Sequence, residues 1–306
     1  MEERTLHPSR RNEVNVEGKE MRVLVTGSDG FLGKYILKVL KRNGLHGYGY
    51  DVAVDHRADI RDREALERVF ASSKPKAVFH LAGLLGTSEL FDELEAAIQT
   101  NIVGTANVLE MCRKYDCKFI FCSKPSLGLN PYTITKDAGD ALTKMFHEVY
   151  GLKTVILRPH NAYGPAQKWK PVKKAIPNFI RSALLNEPIE IFGSGEILCD
   201  WIYVTDVAEA FLAAFKNIDK VAGGAFDIGT GIGVSAKDVA QMIIELTGSK
   251  SQLVHIHKRL GEVRENAVVA EPESAFKKLG FRAHVPLNRG LRLTIDWYKK
   301  HREWLT

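Results

Sequence analysis

A glycine-rich turn between a short apolar run and an amphipathic segment constrains this chain more than any other feature. Residues 22–26 are apolar and partly β-branched, which predicts a buried strand of a parallel sheet. Residues 34–43 then show helical periodicity. Between them, Gly27, Gly30 and Gly33 lack the Cβ atoms that would keep a pyrophosphate away from the amides at a helix start. The segment therefore predicts a dinucleotide-binding turn.

An acidic residue at the end of the second predicted strand indicates which dinucleotide binds. Asp51 closes the strand predicted over residues 47–51. A carboxylate at this position accepts hydrogen bonds from the adenosine ribose hydroxyls and repels a 2′-phosphate. The sequence therefore predicts NAD rather than NADP as the cofactor.

Strand and helix patterns alternate regularly as far as Pro165, and shorter mixed elements follow. This alternation predicts an α/β fold, a Rossmann-type doubly wound parallel sheet with a smaller mixed α/β C-terminal substrate lobe. We expect a flexible N-terminal arm at residues 1–20 and an NAD-binding domain at 21–165. The chain is expected to return to that domain around 201–232, and residues 166–306 are expected to form the substrate-binding lobe.

Composition excludes several classes of protein. The 306 residues carry 43 Lys and Arg against 37 Asp and Glu, a net charge of +6 that suits a polyanionic small ligand. No Lys/Arg stripe interleaved with aromatics predicts nucleic-acid binding, and no apolar run is long enough for a membrane helix. The four cysteines show no metal-binding spacing, so we expect no metal, reduced thiols and a cytoplasmic location.

A tyrosine and a lysine four residues apart form the second motif. Tyr132 and Lys136 fall on one face of a predicted helix over 132–150. An ammonium group beside a phenol lowers the phenol pKa, and a phenolate can act as a base at neutral pH. The pair therefore predicts proton transfer next to the dinucleotide.

In this order, the motifs resemble those of the extended short-chain dehydrogenases, specifically the NAD-dependent nucleotide-sugar epimerases and dehydratases. The resemblance covers nearly all of residues 21–301. Besides the glycine turn and the Tyr-Lys pair, it rests on Asp59-Ile60, the segment 80–83, Asn101 with Gly104-Thr105, and the segments 158–165, 192–195, 200–206 and 261–264.

The resemblance implies a set of site residues and partners. The implied partners are a nucleotide-diphosphate sugar as substrate and a second copy in a homodimer, built on helices 94–114 and 132–150 unless the arm 1–20 covers them. The implied NAD contacts are Gly27, Asp29, Gly30, Phe31, Leu32, Gly33, Asp51, Asp59, Ile60, Leu81, Ala82, Gly83, Asn101, Tyr132, Lys136 and Pro159. The implied substrate contacts are Lys124, His160, Asn161 and Arg264, the last holding the diphosphate.

Three departures from the family pattern concern the substrate side. The position that usually holds the Ser or Thr partner of the tyrosine holds Lys124. Ser123 or Ser126 could substitute, or Lys124 could itself donate to the sugar oxygen; we favour Ser123 as the catalytic partner. The loop before Tyr132 is shorter than usual, and Cys199 stands where an arginine often contacts phosphate.

The sequence therefore predicts an NAD-dependent epimerase acting at C4 of a UDP- or dTDP-hexose through a transient 4-keto sugar. Tyr132 would be the base, with Lys136 and Ser123 assisting it. Relatives that act as dehydratases carry an acidic pair after the Thr, and this chain has none there. The alternatives are a nucleotide 4-keto-sugar reductase and a catalytically impaired NAD-binding structural or regulatory protein.

Overall fold

The computed structural model of the chain describes residues 21–125, 128–262 and 267–306. The expected arm at residues 1–20 lies outside these ranges, as do the site residues predicted at Ser126 and Arg264. Within the described ranges no helix is both long enough and apolar enough to span a membrane.

In the part of the chain that the structure describes, the central sheet has six parallel strands in the order β2-β1-β3-β4-β5-β9. Helices cover both faces, which explains why a strand such as β3 is buried along its whole length. The arrangement confirms the predicted Rossmann-type fold. Its strands are β1 (Arg22–Thr26), β2 (His46–Tyr50), β3 (Ala77–His80), β4 (Lys118–Cys122), β5 (Thr154–Pro159) and β9 (Ala225–Ile228).

The helices of this part pack on the sheet through two apolar clusters. On one face, Phe79 of β3 packs against Phe211, with ring centroids 5.7 Å apart. On the other face, Phe119 and Phe121 of β4 lie in a cluster with Phe70. The helices are α1 (Phe31–Arg42), α2 (Arg63–Ser73), α3 (Leu94–Ala97), α4 (Thr105–Lys114), α5 (Pro131–Tyr150), α7 (Val204–Val221) and α9 (Glu273–Leu279).

The helix expected over residues 94–114 changes its winding along its length. A π-helical segment, Ile98–Gly104, separates α3 from α4, and a short 3-10 turn, Glu89–Phe91, precedes them. Asn101 lies in the middle of this segment and is buried.

A second lobe lies against the carboxyl edge of the central sheet. Strand β8 pairs in parallel with β6 and β12 and antiparallel with β10, while β7 pairs with β11. Its elements are β6 (Asn161–Tyr163), α6 (Ala175–Leu185), β7 (Ile189–Phe192), β8 (Leu198–Tyr203), β10 (Gly233–Ser235), α8 (Ala236–Thr247), β11 (Leu253–Ile256), β12 (Ala267–Val268), α10 (Leu287–Lys300) and a final 3-10 turn, Arg302–Leu305.

The chain passes between the two parts more than once. Strand β8, with Trp201, pairs inside the second lobe, so the return to the central sheet begins at Val204 with α7 and ends with β9. Helix α9 then packs on α7 and β9, which adds Ala275 and Leu279 to the first cluster. The central sheet therefore receives α7, β9 and α9 from the part of the chain that follows β8.

Candidate active site

A cleft of about 1210 Å³ follows the carboxyl edge of the central sheet and continues to the second lobe. Its cofactor half is formed by the loops after β1, β2 and β3. Its substrate half is formed by the ends of β4 and β5 together with the second lobe. Among the described residues that the sequence predicts for the site, all line this cleft except Asn101.

The glycine turn leaves the start of α1 open to the cleft. Gly27 has a φ of +69°, and a Cβ there would lie 2.7 Å from the Ala82 amide nitrogen. A Cβ on Gly33 would lie 2.3 Å from the Gly27 carbonyl oxygen. Gly30 is the N-cap of α1 and provides no side-chain cap, so the first-turn amides of Phe31 and Leu32 remain for an anion. The turn fits a pyrophosphate.

Asp51 follows β2 and faces the same cleft. Its Oδ2 accepts a hydrogen bond of 2.8 Å from the Asp29 amide, and its Oδ1 accepts one of 2.9 Å from the Ala53 amide. Asp29 in turn pairs with Lys34 at 3.0 Å. These bonds fix the Asp51 carboxylate beside the glycine turn, where the ribose of a dinucleotide would lie.

Asp59 and Ile60 line the outer end of the cofactor half. The Asp59 carboxylate pairs with Arg61 at 2.6 Å, and this hydrogen bonding lowers the Asp59 pKa. Ile60 is buried and packs on Gly104, where a Cβ would lie 2.6 Å from the Ile60 Cδ1. Ile60 thus presents an apolar wall, while the Asp59 side chain is already occupied by Arg61.

The loop after β3 is positioned from behind by Asn101. The Asn101 Oδ1 accepts from the Leu84 amide at 2.7 Å, and its Nδ2 donates to the Leu84 carbonyl at 2.9 Å. The Thr26 Oγ1 accepts from the amides of Leu81 and Ala82, both at 3.2 Å. Leu81, Ala82 and Gly83 therefore face the cleft, and Asn101 holds their loop instead of facing the cofactor space as expected.

His80 precedes this loop but does not line the cleft. Its imidazole is fully buried between the Thr26 Oγ1 at 2.7 Å and the Thr105 Oγ1 at 3.0 Å. Burial lowers the His80 pKa to about 3, so the ring is neutral and serves the core.

Tyr132 and Lys136 face the cleft from the first two turns of α5. The Asn130 side chain caps this helix by accepting from the Thr133 amide at 2.9 Å. Burial raises the Tyr132 pKa and lowers the Lys136 pKa, and the Lys136 Nζ lies 4.2 Å from the Phe121 ring centroid. The expected lowering of the phenol pKa is therefore absent in the ligand-free protein, because burial dominates.

Ser123 and Lys124 follow β4 and face the substrate half. The Ser123 amide donates to the Leu157 carbonyl at 2.8 Å, while its buried Oγ has no hydrogen-bond partner among the described residues. The Lys124 Nζ donates to the Pro125 carbonyl at 2.6 Å and the Thr133 Oγ1 at 2.8 Å. Among the described residues, the Ser123 hydroxyl therefore makes no hydrogen bond, whereas the ammonium group of the next residue, Lys124, makes two.

The end of β5 brings Pro159, His160 and Asn161 to the cleft. His160 is only 8% exposed, and neither ring nitrogen has a well-aligned hydrogen-bond partner in the described ranges. Burial lowers the His160 pKa, against the fields of Asp200 and Asp227. The Asn161 Nδ2 donates to the Asp200 carbonyl at 3.1 Å.

Arg259 is a cation of the substrate half that the sequence reasoning missed. It lines the cleft, pairs with Glu262 at 3.3 Å, and stacks over Phe192 with its Cζ 4.8 Å from the ring centroid. Its Nε is buried without a partner among the described residues. The signal was its place two residues before Gly261, in the same segment as the predicted Arg264.

Comparisons with known proteins show the family to which this chain belongs. Residues 23–229 match the NAD dependent epimerase/dehydratase family. A putative UDP-glucose 4-epimerase of Methanocaldococcus jannaschii is 29% identical, over 91% of this chain and 99% of the relative. A UDP-glucuronate 4-epimerase of Thermodesulfobacterium geofontis is 26% identical, over 92% and 97% respectively.

Two solved structures extend the comparison. The UDP-glucose 4-epimerase of Thermotoga maritima, solved with UDP-glucose, has a TM-score of 0.86 at 31% identity and covers 92% of this chain and 100% of its own. The UDP-glucose 4-epimerase of Thermus thermophilus, solved with NAD, has a TM-score of 0.83 at 27% identity and covers 91% and 99%. This chain therefore belongs to the NAD-dependent epimerase/dehydratase family of extended short-chain dehydrogenases, and its cofactor is NAD.

Proposed function

We propose that the protein is a nucleotide-sugar 4-epimerase that interconverts two UDP- or dTDP-hexoses through a transient 4-keto sugar. The observation that carries the proposal is the placement of Tyr132 and Lys136 on α5, facing the point where the two halves of the cleft meet. The Ser123 hydroxyl, which lines the same cleft without a partner among the described residues, and the similarity to named 4-epimerases support it.

The described residues fit NAD. The glycine turn and the uncapped start of α1 would hold the pyrophosphate, Asp51 would accept from the adenosine ribose hydroxyls, and Ile60 would cover the adenine. When bound, NAD supplies the redox chemistry by taking a hydride from C4 and, after the 4-keto sugar has rotated, returning it to the opposite face of the same carbon.

Tyr132 would move the proton of the C4 hydroxyl. As the C4–H bond breaks, the phenolate accepts the hydroxyl proton and the oxygen becomes a carbonyl; in the return step the phenol gives the proton back. Since burial raises the Tyr132 pKa, forming the phenolate requires positive charge from Lys136 and from the oxidised nicotinamide. The Ser123 Oγ–H would donate to the same sugar oxygen and stabilise its developing charge.

The reaction we propose is redox-neutral, which separates it from reduction of a 4-keto sugar. A reductase consumes an external reductant, and biosynthetic reductases usually draw on NADPH. The Asp51 carboxylate disfavours the 2′-phosphate of that cofactor. Asp51 thus favours a cycle in which NAD is regenerated in place.

The test incubates the purified protein with catalytic NAD and either UDP-glucose, UDP-glucuronate or dTDP-glucose. Proton NMR reports the configuration at C4, and NADH absorbance reports net redox change. We expect one of these sugars to be inverted at C4 with no net NADH formed. Stoichiometric consumption of NADH or NADPH with a 4-keto sugar, without interconversion of hydroxy epimers, would instead establish a reductase.

The homodimer is part of the same proposal. Exposed apolar side chains occur along the 94–114 segment and α5, including Ile98, Val103 and Ile134. Such a face fits a second copy packed helix against helix. Light scattering of the purified chain tests this, and a monomer would favour coverage by residues 1–20.

A further inference from the structure

Lys124 is a cation whose contacts in the described ranges are neutral. Its Nζ donates to the Pro125 carbonyl and to the Thr133 Oγ1, and it lies 5.7 Å from the Tyr132 ring centroid. An ammonium group has three N–H donors, so these two contacts leave one for a further acceptor. Since Lys124 lines the cleft, that acceptor can belong to the substrate.

Two other cations of the substrate half have carboxylate partners. Lys173 pairs with Glu190 at 3.0 Å, and Arg259 pairs with Glu262 at 3.3 Å. The Asp140 carboxylate lies on α5 near Lys124 but is held by Arg158, with Nη2 to Oδ2 at 2.7 Å. Lys124 differs from Lys173 and Arg259, because its contacts among the described residues include no carboxylate oxygen.

A largely buried ammonium that contacts only neutral oxygens is costly unless an anion joins it. Burial lowers the Lys124 pKa to about 8, against the fields of Asp137 and Asp140, which is the direction that such a cost produces. An ammonium–carboxylate hydrogen bond is stronger than one to a neutral hydroxyl. The environment thus favours a ligand with negative charge close to Tyr132.

We propose that Lys124 binds a carboxylate on the sugar, so that the substrates are nucleotide-linked hexuronates rather than neutral hexoses. The proposal rests on the proposed function, because it assumes that the C4 hydroxyl lies at Tyr132. The C6 carboxylate of a hexuronate is attached to C5, the carbon next to C4, which brings it within reach of a group beside Tyr132. The relative named as a UDP-glucuronate 4-epimerase shows that the family includes such substrates.

The diphosphate is the competing anion, and the experiment separates it from the sugar carboxylate. Lys174 also lines the cleft, and its field acts on Lys124, so phosphate charge is expected in the same half. If Lys124 bound the diphosphate, replacing Lys124 would weaken the binding of a nucleoside diphosphate that carries no sugar. If it serves the carboxylate, only the uronate loses affinity.

Calorimetry on the NAD-loaded Tyr132→Phe protein measures binding without turnover. Binding of UDP and dTDP alone first identifies which nucleotide base the protein accepts. Three compounds with that base are then compared: the nucleoside diphosphate, its neutral glucose derivative (the glucoside) and its glucuronate derivative (the glucuronoside). We expect the glucuronoside to bind about tenfold more tightly than the glucoside. Adding Lys124→Met should remove this preference and leave nucleoside diphosphate affinity within twofold, whereas Lys124→Arg should keep the preference.

Equal affinity for both sugars in the parent protein would overturn the proposal, as would an equal loss for the nucleoside diphosphate in Lys124→Met. If Tyr132→Phe does not retain NAD, the ratio of kcat/KM for the two sugars in wild type and Lys124→Met decides in the same way. Failure of the proposed function looks different: no sugar would be epimerised by wild type, whatever its charge. Absence of binding by either nucleoside diphosphate would overturn both.

Discussion

The two halves of the cleft differ in how their polar groups are satisfied. Behind the cofactor half, the Thr26 Oγ1 bonds to the His80 ring and to the loop backbone, and the Asn101 side chain bonds to the backbone of Leu84. Within the described ranges, three cleft-lining side chains hold a buried nitrogen or oxygen without an aligned partner. All three, Ser123, His160 and Arg259, lie in the substrate half.

This difference separates a preformed half from one that a ligand completes. The cofactor half presents backbone amides and the Asp51 carboxylate, which two backbone amides hold in place. A buried polar atom without a partner costs about 1–3 kcal/mol, and the substrate half carries several. We infer that binding of the sugar nucleotide supplies the missing partners, and that changes in the two halves affect different measurements.

The largest effect is expected where the halves meet, at Tyr132. Tyr132→Phe removes only the phenolic oxygen, so the fold and NAD binding should persist. Loss of the proton acceptor should lower kcat about 1,000-fold, within the usual range for a general base. Steady-state epimerisation and NAD calorimetry measure the two properties separately. Activity within a few-fold of wild type would disprove the base assignment.

Ser123 tests the substrate half next. Ser123→Ala removes a buried hydroxyl that has no partner among the described residues, so the fold should keep its stability. Loss of a donor to the sugar oxygen should reduce kcat about 100-fold, near 2.7 kcal/mol. Ser72→Ala, on the exposed surface of α2, is the matched control. If only Lys124→Met lowered kcat, the donor role would belong to Lys124.

Gly27 tests the cofactor half. Its φ of +69° equals that of Gly44, but a Cβ at Gly27 would meet the Ala82 backbone, whereas a Cβ at Gly44 would meet no atom of the described residues within 4 Å. Both alanine variants bear the left-handed backbone cost, about 1–2 kcal/mol. The overlap should therefore lower the free energy of unfolding by about 2 kcal/mol more in Gly27→Ala. Chemical denaturation measures this, and equal losses would show that the turn adapts.

Local spacing explains what the sequence could predict. The glycine turn and the Tyr132–Lys136 pair each lie within one strand–turn–helix or one helix, so their geometry follows from the order of residues. The role of Asn101 depends on a π-helical segment that periodicity does not reveal. Arg259 reaches the cleft through the second lobe, whose pairing of β8 with β6, β10 and β12 is long-range. Contacts of that kind required the structure.

Asp51 sharpens the account of the cofactor half. Asp51→Ser should weaken NAD binding about tenfold, because the ribose hydroxyls lose a charged acceptor. It should also reduce the ratio by which the protein prefers NAD to NADP. Asp55→Ser is the control, since the Asp55 carboxylate pairs with Arg57 and does not line the cleft. Fluorescence titration with both cofactors measures the ratio. Tighter binding of NADP than NAD by wild type would contradict the role of Asp51.

The smallest effect concerns stability in the substrate half. Burial holds the Lys124 pKa at about 8 in the folded protein, below the 10.5 of a free lysine. The folded state therefore binds the Lys124 proton less well than the unfolded state does. The charge on Lys124 thus lowers the free energy of unfolding by its full amount below pH 8, and this loss disappears as the pH rises towards the unfolded pKa. After allowance for the exposed part of the side chain and two lost hydrogen bonds, Lys124→Met should stabilise the ligand-free protein by about 1 kcal/mol at pH 7. Urea denaturation at several pH values should show this gain shrinking between pH 8 and 10, and a gain independent of pH would mean that the Lys124 charge carries no such cost.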